Sequence, residues 1–307
     1  MSPLRQALAD YLAARRALGY KLLDAEKLLV QFIAYLEERG AQTMTTEHAL
    51  AWATLPGGAG NWHYLRLSVV RCFARYLQAL DPATEVPPAD LLRWRRPETI
   101  PYLYSTAQIA ALMTATASLR KPHRAATFRT LIGLLAVTGM RIGEAIRLDL
   151  GDVDLKAGLL VVRDTKFGKA RELPLHLSSL AALGRYLART DRPPSPVGAE
   201  PLLVSTTGTR LTHSRVTTTF HELLARAEIE PRSERCRPRV HDLRHSFAVR
   251  TILDGYRGGG EVEGRLAALS TYLGHTEPAN TYWYLSAAPE LMELAAERLE
   301  RHLGDRS

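Results

Sequence analysis

The sequence predicts a mixed α/β protein that is mostly α-helical and has two domains. A helical domain is expected over residues 1–95 and a linker over 96–104. A larger domain over 105–307 is expected to add a small antiparallel β-sheet. Three observations carry this. Apolar residues recur at helical spacing through most of the chain, as at Leu29, Ile33 and Leu36. Residues 82–101 hold five prolines and no lasting periodicity, which breaks helices and favours an extended spacer. Two short β-type runs, GLLVVRD and ARELPL, flank the turn residues Phe167 and Gly168, the pattern of a hairpin. At 307 residues the chain is long enough for two cores.

In the first domain Leu22, Leu29, Ile33 and Leu36 mark one helix, and Gly40 follows as its stop. Another helix is expected to start near Asn61, a residue type that caps helix N-termini. Its expected buried stripe is Leu65, Val69, Cys72, Phe73 and Tyr76, which leaves Arg66, Arg71 and Arg75 on the solvent side. In the second domain Ser105 is the expected N-cap for TAQIAALMTATA. A long apolar helix spans 125–137 and the hairpin comes next. Helices at 177–189 and 213–227 are separated by a proline-rich loop. The rest reads as helix, except 256–264, where YRGGGEVEG marks a loop.

Composition narrows the class. Hydrophobic residues make up 46% and charged residues 23%, ordinary values for a folded soluble protein. Net charge is +8 and the pI is near 9.6. Both halves are basic: +3 over residues 1–96 (12 basic, 9 acidic) and +5 over 97–307 (28 basic, 23 acidic). Such a balance concentrates polyanions such as nucleic acid, and also anionic membranes. Cys72 and Cys236 lie far apart, which suits neither a disulfide framework nor a zinc site and fits a reducing cytosol. No run of about 18 apolar residues predicts a membrane span. The N-terminus lacks the apolar core of a signal peptide. A cytoplasmic protein is expected.

The chemistry-bearing residues suit one task, the breaking of a phosphodiester without a metal. The anionic oxygens of a phosphodiester repel nucleophiles, so an enzyme must neutralise the charge that builds on them. Arginine forks can do this, because they pair two oxygens at once and stay charged. Arg141 and Arg244 are the candidates. Glu144, three residues after Arg141, shares its helical face and can orient it. In HDLRH, His241 and Arg244 are also three apart and share a face. His241 and His275 can transfer protons or hydrogen-bond a phosphate near neutral pH. A histidine followed by aspartate also occurs in metal phosphohydrolases. Asp242, however, has no second acidic cluster beside it, and Arg244 would repel a cation, so Asp242 reads as a residue that caps or orients its helix. Lys166 sits in a glycine-containing turn. Tyr272, Tyr282 and Tyr284 are available phenols, whose pKa near 10 requires help before attack.

TGMRIGEAIRL (138–148), TKFGKARELPL (165–175), HDLRH (241–245) and LGHTEPANTYWYL (273–285) occur in this order. Together they make residues 138–285 resemble the tyrosine recombinase (phage integrase) family. The helical N-terminal part is similar in size and style to that family's core-binding, DNA-binding domain. The resemblance implies that Tyr284, nine residues after His275, is the nucleophile. It implies that Lys166 is the general acid on its β-turn, and that Lys169 and Arg171 contact the DNA backbone. With Arg141, His241, Arg244 and His275 these residues would cleave DNA through a 3′-phosphotyrosyl link, using no metal, ATP or other cofactor. The implied partners are double-stranded DNA carrying specific recombination sites and a homo- or hetero-tetramer assembled on it, as in integration or transposition of a mobile element. The amphipathic helix expected after Pro289 is a candidate for exchange between subunits. Two departures stand out. Gly143 replaces the serine often found in the first arginine motif. His241 and His275 are 34 residues apart, more than in compact members, with YRGGGEVEG as the extra segment. The alternatives are a type IB topoisomerase-like enzyme and a catalytically silent DNA-binding relative. All six candidate positions hold competent residue types, which argues against the latter.

Overall fold

The computed structural model describes residues 2–274, apart from 56, 58–59, 93–98, 164–169, 197, 199 and 258–261. It divides into two compact units, Met1–Pro97 and Glu98–Ser307. No helix among the described residues is long and apolar enough to cross a membrane.

The first unit holds α1 (Pro3–Ala17), α2 (Leu23–Glu38), α3 (Thr46–Thr54) and α4 (Gly60–Gln78). Local chemistry sets their ends. Ser2 caps α1 ahead of Pro3, and Thr45 caps α3 by accepting from the His48 amide at 3.2 Å. Leu29, Ile33 and Leu36 are buried as their spacing predicts, with Phe32, Phe73, Leu67 and Val70. The face of α4 differs from expectation. Leu65 and Cys72 are exposed, whereas Arg66 and Arg71 are buried. Arg66 lies over the Trp52 ring, 3.6 Å from its centroid, and donates to the Trp52 carbonyl at 2.8 Å. Arg71 donates to the carbonyls of Pro87 and Pro88, each at 2.8 Å. A buried arginine is tolerable where carbonyls or an aromatic face meet its guanidinium. The proline-rich stretch is thus no free spacer at its start. Val86 and Leu92 pack on the first core, and the Glu85 amide donates to Met44.

The second unit begins before residue 105. Tyr102 and Tyr104, inside the expected linker, are buried in its core, and the Tyr104 amide donates to Ser246 Oγ at 2.7 Å. Next come α5 (Thr106–Ala115), α6 (Pro122–Thr138) and the short α7 (Ile142–Arg147). Ser105 and Gln108 form a reciprocal capping box on α5. Buried residues surround α6, which packs against α5, α8 (Leu177–Leu187) and α10 (Asp242–Arg257). The hairpin is present as β2 (Leu159–Val162) antiparallel to β3 (Arg171–Pro174), with Leu160 opposite Leu173 and Val162 opposite Arg171. A third strand, β1 (Val153–Asp154), joins the far edge of β2. Helix α9 (His213–Arg226) precedes residues 228–241, where helix is expected but the chain is irregular, carrying Pro231, Pro238 and a Ser233–Cys236 bridge. The expected loop at 256–264 is narrower than predicted, because α10 runs to Arg257 and α11 (Val262–Leu273) starts at Val262.

Candidate active site

Three segments of the second unit meet around Glu144. Helix α6 is capped at Gly139 in a left-handed conformation (φ 59°), which ends it, and α7 starts three residues later. Arg141 is the N-cap of α7. Its amide donates to Glu144 Oε2 at 2.7 Å and its Nη1 to Oε1 at 3.0 Å. Arg171, on β3, donates to the same carboxylate from the other side, Nη1 to Oε1 at 3.2 Å and Nη2 to Oε2 at 2.7 Å. Glu144 is 3% exposed. Burial alone would raise its pKa. The hydrogen bond from Arg171, the Arg141 amide and both guanidinium charges outweigh that and hold it at about 2. The Arg141 side chain stays 40% exposed while anchored at one end, so it can face a ligand.

Helix α10 brings the HDLRH motif to the same place. Arg244 is 2% exposed and donates Nη1 to the Gly139 carbonyl and Nη2 to the Leu273 carbonyl, each at 2.7 Å. Arg141 Nη2 reaches the Gly274 carbonyl at 3.4 Å. Both candidate arginines thus hold consecutive carbonyls at the end of α11, immediately before His275. Gly274 has φ 68°, and a Cβ there would lie 3.0 Å from Arg171 Nη1, so glycine suits the position twice over.

His241 precedes α10 and touches His245 edge-to-face, with ring centroids 4.9 Å apart. Its ring reaches solvent, but packed protein around it displaces much of its water. That desolvation first, and then the charges of Arg244, Arg141 and Arg239, lower its pKa to about 4. Asp242 is fully buried. The Arg239 amide and guanidinium occupy both of its oxygens at 2.9–3.1 Å, so it anchors the start of α10 as the sequence suggested. A carboxylate sealed in this way is not available to share a cation with His241. Among the described residues no group of three histidine, cysteine or acidic side chains is placed to hold a metal.

The structure thus brings Arg141, His241 and Arg244 together. Lys166, Lys169, His275 and Tyr284 lie outside the described residues, as does the helix expected after Pro289. Arg171 corrects one expectation. It is not held out to a DNA backbone: its side chain is 12% exposed and bound to Glu144. Strand alternation carries the missed signal, since Arg171 and the buried Leu173 are two apart on β3 and share a face. Arg239, the clamp on Asp242, left no comparable mark in the sequence.

Comparison with known proteins places the chain in a family. The sequence model of the phage integrase family matches residues 104–290. The chain is 43% identical over 314 residues, covering 100% of both proteins, to the putative integrase/recombinase y4rB of Sinorhizobium fredii strain NGR234. It is 29% identical over 228 residues to tyrosine recombinase XerC of Alcanivorax borkumensis, covering 74% of this chain and 69% of that one. The Tn1549 transposon integrase, solved with a circular intermediate DNA, shares the fold with a TM-score of 0.63 at 18% identity, covering 97% of this chain and 100% of that one. Matched from end to end in one relative and over most of its second unit by the family's own pattern, the chain belongs to the phage integrase family, the tyrosine recombinases.

Proposed function

We propose that this chain is a DNA strand transferase that cleaves and rejoins recombination sites through Tyr284. The observation that carries the reading is the shared grip of Arg141 and Arg244 on the carbonyls of Gly274 and Leu273. It ties the first arginine motif, HDLRH and the end of α11 into one small volume.

In the proposed reaction the Tyr284 oxygen attacks a backbone phosphorus and the bond to the 5′-oxygen breaks. Lys166 gives that leaving oxygen its proton. Arg141 presents an exposed fork to the non-bridging oxygens, and Arg244 supplies a fixed charge beneath it. His241, neutral at neutral pH, hydrogen-bonds the phosphate without adding a further full charge, and His275 takes up the proton that the Tyr284 hydroxyl loses. The 3′-phosphotyrosyl link retains the bond energy, so a 5′-hydroxyl from another strand reverses the step without ATP. Metal is not needed where arginines carry the charge-neutralising role. The DNA-bound transposon integrase of similar fold supports double-stranded DNA as the partner and transposition or integration as the process. Assembly of four subunits on paired sites belongs to the same reading.

A nicked suicide substrate made from the terminal DNA of the host element tests the proposal. Wild type and Tyr282→Phe are expected to form a covalent protein–DNA adduct, and Tyr284→Phe to bind the DNA and form none. Capture by Tyr284→Phe would move the nucleophile elsewhere.

A further inference from the structure

The second histidine of HDLRH, His245, has no part in the proposed chemistry, yet it lies against a residue that does. His241 stands just ahead of α10 and His245 in its first turn, four residues on, so the two side chains share a face. Their ring centroids are 4.9 Å apart and their planes 83° apart, an edge-to-face contact. Their surroundings differ. His241 is exposed, whereas the His245 side chain is only 14% exposed. Among the described residues no hydrogen bond or ion pair fixes the His241 imidazole, and the ring that it meets is that of His245.

His245 is itself held from beneath. Its Nε2 lies 3.9 Å from Asp242 Oδ1, too far for a hydrogen bond but close enough for the carboxylate to favour an N–H on the nitrogen that faces it. Asp242 is a fixed charge, because it is buried and Arg239 clamps both of its oxygens. A chain of contacts therefore runs from Arg239 through Asp242 and His245 to the exposed imidazole of His241. The ring torsion of a histidine is broad and roughly two-fold, so a solvent-facing imidazole can turn either nitrogen, or neither, toward a phosphate. A second ring packed across it removes that freedom. A group that must meet a reacting phosphate needs placement to within about 0.5 Å, which a neighbour locked by its own contacts can supply.

We propose that His245 is a positioning residue for strand cleavage: its ring braces the His241 imidazole in the orientation that hydrogen-bonds the phosphate. The assignment rests on the strand-transferase reading above. His245 then acts on the rate through His241 and not through DNA affinity. The flat ring at position 245 is what does this, and the proton that it carries is secondary.

Single-turnover cleavage of the nicked suicide substrate by the full-length protein, over a range of protein concentrations, separates the rate at saturation from DNA affinity. His245→Leu and His245→Asn, which lack the ring, are expected to cleave about tenfold more slowly at saturation, with DNA affinity within about twofold of wild type. His245→Phe restores a ring without either nitrogen and is expected to recover most of the rate. In a chain that already carries His241→Gln, adding His245→Leu is expected to cost nothing more, because the brace then has no imidazole to hold. Urea midpoints identify a variant that folds poorly, and the other ringless variant then carries the comparison. A wild-type rate in both ringless variants overturns the brace and leaves strand transfer standing. So does a loss of affinity with the saturated rate unchanged, which makes His245 a binding residue. A His245→Phe as slow as His245→Leu shows that the nitrogens matter and the ring does not, and an equal further loss in the His241→Gln chain shows that His245 acts independently of His241. Either result overturns the brace. If wild type forms no covalent adduct, strand transfer and the brace fall together.

Discussion

At the scale of single residues, the Glu144 carboxylate is the point on which the site turns. Two arginines from different segments share it in a buried place, so removing one partner leaves a charge poorly compensated. Arg171→Ala is expected to cost about 3 kcal/mol of stability, and Arg171→Lys to recover little, because an ammonium cannot pair both oxygens as the fork does. Urea denaturation checks this. An unchanged midpoint together with a salt slope of DNA binding lowered by about one would return Arg171 to the role of a backbone-phosphate contact. His241 leads to a pH prediction. Its pKa falls from an ordinary 6.5 to about 4 in the folded chain. A group with a depressed histidine pKa favours the folded state fully above 6.5 and loses that contribution as pH falls toward 4. Stability should therefore decline across that window, and His241→Gln should flatten part of the decline. Urea midpoints from pH 7 to 4.5 measure it, and superimposable profiles for variant and wild type would sink the idea.

At the scale of elements, the turn from α6 into α7 does the aiming. Gly139 ends α6, and its carbonyl is an anchor for Arg244. A Cβ at Gly139 would collide with the Phe247 ring and lie 3.0 Å from Leu273 Cδ2, in a backbone conformation that already disfavours side chains. Gly139→Ala is expected to destabilise the protein by about 2–4 kcal/mol, the sum of the left-handed penalty and the overpacking. It should also lower strand cleavage at saturating DNA, because Phe247 and Leu273 flank the segment that leads to His275. A wild-type urea midpoint in Gly139→Ala would show that the turn yields without cost.

At the scale of the whole molecule, each unit has its own core. One cluster of buried side chains runs from Leu8 to Leu77 and stays within the first unit. Two others, from Tyr102 to Leu243 and from Ala248 to Leu273, stay within the second. A fragment spanning 98–307 is expected to melt cooperatively without residues 1–97, and a 1–97 fragment likewise. Calorimetry on the separate fragments decides it. Absence of a cooperative transition in 98–307 would mean that the second core depends on the first unit.

Local chemistry was enough to determine much of this protein from its sequence. Apolar spacing marked α2 and α6, Ser105 set the start of α5, short β-type runs flanking a turn marked β2 and β3, and the motif order pointed to the family. Arg141, His241 and Arg244 were legible because each sits in a recognisable local pattern. The face that α4 buries was not legible. Its periodicity tolerates more than one phase, and the choice fell to Arg66 on Trp52, 14 residues away, and Arg71 on Pro87, 16 residues away. The inward role of Arg171 likewise depends on Glu144, 27 residues back, and the seat of Arg244 on Gly139, 105 residues back. A guanidinium is long, flexible and equally stable in water or against a carboxylate or carbonyl. Sequence spacing therefore fixes where an arginine starts, and only the folded chain supplies the acceptor that decides where its charge ends.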